Sequence, residues 1–128
     1  MKILITGATG FAGGYLLRYL SNIYGIENVH GTGRSLSKAR ILSDEGFTIK
    51  VGDLVDPEFV NSHLTSYDLV VHCAAKSSLW GSYDSFYKAN IVATKNLLEI
   101  IHSEQQLIYI STANIYFNFG NRRSICED

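Results

Sequence analysis

Disulfide staples, metal-ligand clusters, long basic runs and membrane-length apolar stretches are all missing from this 128-residue chain. Two cysteines, Cys73 and Cys126, are too few for a disulfide scaffold. Cys73 lies inside an apolar run and is expected to pack as a small hydrophobe. A cytoplasmic, free-thiol chain is the simplest expectation. Four histidines, His30, His63, His72 and His102, are scattered, with no i, i+4 pair and no carboxylate at ligand spacing. That argues against a metal site. No basic run exceeds Arg122-Arg123 and the formal net charge is −1, so no nucleic-acid partner is expected. No apolar run approaches the length of a membrane span, and no charged-then-apolar leader precedes the first apolar segment. Neither a membrane partner nor a secretory signal is therefore expected. With 46% hydrophobic and 18% charged residues, the chain should be globular, and its length suits one domain over 1–128.

The informative stretch is the beginning. Ile3, Leu4 and Ile5 form a short apolar run, consistent with a strand buried on both faces. Gly7, Gly10 and Gly13 follow at three-residue spacing. Tyr15, Leu16, Tyr19 and Leu20 then recur at helical spacing. Strand, glycine turn and helix make a phosphate-binding geometry. Gly7 permits the turn, Gly10 lets backbone approach a pyrophosphate, and Gly13 lets the helix pack against the strand. The helix start supplies N–H groups and a positive dipole end. Three glycines alone would serve equally as a ligand-free turn. Their place between a buried strand and a helix favours nucleotide binding.

Alternation continues along the chain. Helices are expected at 12–24, 35–45, 57–64 and 83–103, and strands at 28–32, 47–51, 69–75 and 107–110. Leu36, Ala39 and Leu42 share one face of the second helix, with Ile41 beside them, and Gly46 is its stop. The single proline, Pro57, suits the first turn of the third helix, with Asp56 as its cap. Phe86, Ala89, Ala93, Leu97 and Ile100 form one stripe of the fourth. Strands separated by helices imply an α/β, three-layer fold with a doubly wound parallel sheet. Right-handed crossovers give the strand order 3-2-1-4-5. A ligand belongs outside the carboxyl ends of strands one and four, where that order reverses. Residues 113–128 are polar and predict no regular element.

In these motifs the chain resembles the extended short-chain dehydrogenases/reductases, the NAD(P)-dependent epimerase, dehydratase and hydroxysteroid dehydrogenase group. Thr6-Gly7-Ala8-Thr9-Gly10-Phe11-Ala12-Gly13 is similar to that family's glycine motif. Gly52-Asp53-Leu54 is similar to the turn after strand three, where the family's Asp faces adenine. His72-Cys73-Ala74-Ala75 resembles the strand-four motif beside the ribose and pyrophosphate. Asn90 matches the Asn of the long fourth helix. Ser111-Thr112, followed by Ile115 and Tyr116, resembles the end of strand five, where a catalytic Ser or Thr sits. The segment Lys76-Ser77-Ser78-Leu79-Trp80-Gly81 is most similar to the sterol and hydroxysteroid dehydrogenase branch. The resemblance implies a Rossmann domain in which Gly7, Thr9, Gly10, Phe11, Ala12, Gly13, Asp53, Leu54, Cys73, Ala74, Ala75 and Asn90 hold the cofactor. It also implies a small-molecule substrate and a homodimer through helix 83–103. Several of these residues also have plainer uses. Asp53 could cap its turn, Asn90 could satisfy backbone, and Thr112 could simply end a strand.

Cofactor choice turns on the end of strand two. NAD binding usually places an Asp or Glu there for the ribose 2′-hydroxyl. The chain instead reads Gly31-Thr32-Gly33-Arg34-Ser35. Arg34 can neutralise a 2′-phosphate and Ser35 can bond it, which favours NADP over NAD. The resemblance also implies hydride transfer assisted by a Tyr-x-x-x-Lys pair, in which the Lys lowers the tyrosine pKa. None of the eight tyrosines is followed four residues later by lysine. The pair and a substrate-binding region would lie downstream of Thr112, so the chain is expected to be the cofactor half of a longer enzyme. Binding without turnover is the expected behaviour; a non-catalytic NAD(P)-sensing or regulatory domain and a structural interaction module are the alternative readings. Strand five should then form an uncovered sheet edge.

Overall fold

The computed structural model describes residues 1–112. Five strands alternate with helices: β1 Ile3–Thr6, α1 Phe11–Tyr24, β2 Val29–Gly33, α2 Leu36–Asp44, β3 Ile49–Val51, α3 Pro57–His63, β4 Leu69–His72, α4 Tyr83–Tyr87, a π-helical segment Lys88–Val92, α5 Ala93–Ile100 and β5 Gln106–Tyr109. The strands form one parallel sheet in the order β3-β2-β1-β4-β5. The expected fold class and strand order are both present. The expected tail at 113–128, with Ile115, Tyr116 and Cys126, lies outside the described residues.

Two-residue alternation divides the core. Leu4 and Val70 point to one face of the sheet, where Val60 and Leu64 of α3 and Ala93, Leu97 and Ile100 of α5 cover them. Ile3, Ile5 and Val71 point to the other face, packed against Leu17 of α1 and Leu42 of α2. β1 is buried along its whole length because it has a strand on each side and a helix layer on each face.

Several expected boundaries shift for local reasons. The 69–75 strand stops at His72, because the Cys73 and Ala74 amides turn to the Thr6 hydroxyl. Strand three begins at Ile49, because the Phe47 amide returns to the Leu42 carbonyl at the end of α2 while Gly46 binds Ser43. The 83–103 helix is not uniform. It widens to π over Lys88–Val92 and ends at Ile100, where Ile101 is extended and the Gln105 side chain takes the His102 amide. Asp56 caps α3 as expected, accepting from the Glu58 amide at 3.0 Å, with Pro57 in the first turn. α1 turns its small residues inward. Gly13, Gly14, Leu17 and Ser21 are buried, while Tyr15 and Tyr19 stack on each other in solvent. On α2, Ala39 and Leu42 are buried but Leu36 and Ile41 are exposed. Among the described residues β5 is an edge strand of the sheet, and its Ile108 and Tyr109, with Ile110 after them, are exposed.

Candidate functional site

A cleft of about 300 Å³ opens at the carboxyl ends of β1, β2 and β4. Each wall comes from a turn that follows a strand. The floor is the glycine turn after β1, where Gly7 adopts φ +67° and Gly10 donates its amide to the Gly7 carbonyl at 2.8 Å. A Cβ on Gly7 would also stand 2.9 Å from the Ala74 backbone, so two chain segments cross here at the closest approach glycine allows. A Cβ on Gly13 would run into the Gly7 carbonyl itself. The start of α1 has neither a side-chain cap nor an acidic residue in its first turn, which leaves its positive end for an anion.

The second wall follows β2. Gly33, Arg34, Ser35 and Lys38 line it, and the Ser35 hydroxyl caps α2 by accepting from the Lys38 amide. Gly52, Asp53 and Leu54, after β3, stand opposite. Asp53 holds its own turn through the Val55 amide and reaches Arg34 at 3.7 Å. Both side chains are well exposed, so this loose pair contributes roughly 0–1 kcal/mol and leaves Arg34 free to move. Asp53 therefore combines its turn-holding use with a place on the cleft. The third wall is Cys73, Ala74 and Ala75, after β4, backed by Ala89 and Ala93. Burial pushes the Cys73 thiol pKa upward, so it packs as a neutral group.

Ten of the expected site residues thus meet at one cleft: Gly7, Thr9, Gly10, Arg34, Ser35, Asp53, Leu54, Cys73, Ala74 and Ala75. Gly13 lies behind the turn. Phe11 is 98% exposed and Ala12 is exposed beside it at the start of α1. Asn90 is spent on backbone: its Oδ1 accepts from the Lys76 amide at 2.7 Å and its Nδ2 donates to the Lys76 carbonyl at 3.1 Å. Ser111 and Thr112 are exposed and follow β5 at the same edge of the sheet. Lys38 joins the cleft although no motif marks it; its place one turn after the Ser35 cap is the only local signal of that role. Lys76 donates to Ser85 at 2.8 Å and lies over the Phe86 ring, and Trp80 is exposed on the adjoining loop.

The described residues fit a dinucleotide. Gly7 and Gly13 keep the turn clear of side chains, the start of α1 is uncapped, and Arg34 and Lys38 line the cleft after β2. Among the described residues, no cluster of His, Cys, Asp and Glu could hold a metal ion, and no helix is long and apolar enough to cross a membrane.

A doubly wound parallel sheet with a glycine-floored cleft at its switch point defines a Rossmann-type nucleotide-binding protein. The model of the NAD dependent epimerase/dehydratase family matches residues 3–126. The chain belongs to that family. It is 36% identical over 118 residues to a 2-alkyl-3-oxoalkanoate reductase of Stenotrophomonas maltophilia, covering 90% of this chain and 34% of that protein. It is 32% identical over 134 residues to a sterol-4-alpha-carboxylate 3-dehydrogenase, decarboxylating, of Dictyostelium discoideum, covering 99% of this chain and 40% of that protein. The chain therefore spans only about two fifths or less of these relatives. Among solved structures, a mutant UDP-glucuronic acid 4-epimerase of Bacillus cereus, in complex with UDP-4-deoxy-4-fluoro-glucuronic acid and NAD, superposes with a TM-score of 0.77. It is 27% identical, with 100% of this chain and 45% of that one covered.

Proposed function

We propose that the chain forms the NAD(P)-binding part of an epimerase/dehydratase-type oxidoreductase acting on a hydroxyl or carbonyl of a sugar nucleotide or steroid-like substrate. The observation that carries this reading is the cleft itself, where the glycine turn, Arg34 and the end of β4 meet at the switch point. When bound, the cofactor supplies a hydride acceptor or donor at its nicotinamide. The glycine turn and the start of α1 hold the pyrophosphate, and Asp53 with Leu54 borders the adenine. Cys73, Ala74 and Ala75 pack beside the ribose, and Ser111 or Thr112 orients the substrate oxygen.

The cofactor is NADP(H) in preference to NAD(H). Arg34 and Lys38 bring two cations to the place where an NAD site usually carries a carboxylate, and Asp53 meets only Arg34, loosely at 3.7 Å. The chain by itself binds without turnover, because no tyrosine has lysine four residues later. Calorimetric titration with NADPH and with NADH tests the reading. Tighter NADPH binding is expected. Equal or tighter NADH binding removes the preference, and no binding of either overturns the assignment.

The outer side of the fourth helical stretch supports a homodimer. Tyr83, Tyr87, Ile91 and Leu98 are all exposed there. Sedimentation velocity should show a dimer, and a monomer at high concentration overturns that part.

A further inference from the structure

His72 is buried in the last position of β4, 1% exposed, and both ring nitrogens are engaged. Nδ1 lies 2.7 Å from the Thr6 hydroxyl and Nε2 lies 2.9 Å from the Thr94 hydroxyl. The proton positions follow from counting. Thr6 Oγ1 accepts from the Cys73 amide and from the Ala74 amide, each at 3.1 Å. A hydroxyl has two acceptor sites and one proton, so the proton of Thr6 must go to His72 Nδ1. The neutral ring then carries its hydrogen on Nε2 and donates to Thr94. The Thr94 hydroxyl in turn donates to the Asn90 carbonyl at 2.7 Å. Asn90 closes the path, because its side-chain amide grips the Lys76 backbone at both ends.

The path begins on the amides of residues 73 and 74 and ends on the backbone of residue 76. Between those points lies the third wall of the cleft. The same path crosses β1 at Thr6, one residue before the glycine turn. It also meets the helix at its π segment, where the ladder is already widened.

We propose that His72 is a positioning residue. As the neutral Nε2–H tautomer it joins Thr6, Thr94 and Asn90 in one proton-ordered circuit that clamps residues 73–76 against the glycine turn and fixes the cofactor-facing wall. The proposal rests on the cofactor reading of the cleft. The side chains of Thr6, His72, Thr94 and Asn90 do not line the cleft, so their effect is on the shape the cofactor meets.

The first test is a long-range ¹H–¹⁵N correlation spectrum of the histidine rings in the unaltered chain. His72 should show a protonated Nε2 and an unprotonated Nδ1, and the Nδ1–H tautomer or a charged ring at neutral pH overturns the circuit. The second test compares NADPH and NADH affinity in Thr6→Val, Thr94→Val and Thr6→Ser. Each valine should weaken binding about tenfold, since it strands buried donors or acceptors. Thr6→Ser restores the hydroxyl and should restore affinity. Valine variants that bind within about twofold of the unaltered chain, a factor well under the penalty for stranded groups, overturn the positioning role. If Thr6→Val fails to fold, Thr94→Val and the ring spectrum still decide. Failure of the unaltered chain to bind either nucleotide overturns the cofactor reading instead, and is distinguishable because the ring spectrum needs no ligand.

Discussion

Mild acid should weaken this fold, and His72 sets the amount. Burial between β1, β5 and the fourth helical stretch pushes its pKa from 6.5 down to about 4. The Tyr109 ring, 5.4 Å away, adds apolar surface rather than a countercharge. In the unfolded chain the imidazole takes up a proton near its ordinary value; in the folded chain it resists until about pH 4. Between those values the unfolded state binds more protons, so stability must rise with pH across that window. Every tenfold change in proton affinity between the two states corresponds to about 1.4 kcal/mol, so the full loss on going from neutral pH to the folded-state pKa is about 3 kcal/mol. That is a large part of the roughly 5–15 kcal/mol expected of a whole domain. His30 beside Tyr67 is also pushed down by burial and adds in the same direction. The assay is therefore a comparison of denaturant midpoints from about pH 7.5 to about pH 4.5, spanning that window, for the unaltered chain and His72→Gln. The variant should start less stable and lose stability with a visibly shallower slope. Equal slopes, or a flat unaltered chain, would refute the assignment of a buried neutral ring.

Three further outcomes follow from single positions. Gly13→Ala should cost about 1–3 kcal/mol in a thermal melt, because the new methyl meets backbone that cannot swing away, and nucleotide titration should show binding lost beyond what unfolding explains. Arg34→Ala should weaken NADPH about 10- to 100-fold, the value of a charge-assisted pair, and leave NADH within about threefold; equal losses for both would place Arg34 outside 2′-phosphate recognition. Asp56→Ala removes the cap of α3, at a side chain that does not line the cleft, and should lower stability by about 1 kcal/mol with nucleotide affinity unchanged.

What could be read from sequence was whatever depends on neighbours along the chain. The run Ile3–Thr6, the glycine spacing, the Asp56-Pro57 cap and the strand–helix alternation are local, and together they fix the sheet order and bring ten site residues to one edge. Features set by distant partners were not readable. The helical recurrence of Tyr15, Leu16, Tyr19 and Leu20 did not say which face of α1 turns inward; that is set by Gly13 and Gly14, which pack against the backbone of Gly7 and Ala8 where a side chain would not fit. The π segment carries Asn90, whose partner, Lys76, is fourteen residues away.

His72 is the sharpest case. In sequence it is one histidine in an apolar strand, and absence of ligand spacing removes the metal reading without supplying another. Its state is settled by Thr6, 66 residues earlier, and by two amides of the following turn. Replace those amides with one water and the Thr6 hydroxyl could accept from the ring as readily as donate to it. Both acceptor sites are filled because β4 ends where it does, so the strand boundary and the tautomer are one physical fact. The turn that shortens the strand supplies the N–H groups that orient the ring, and the oriented ring holds the turn in place.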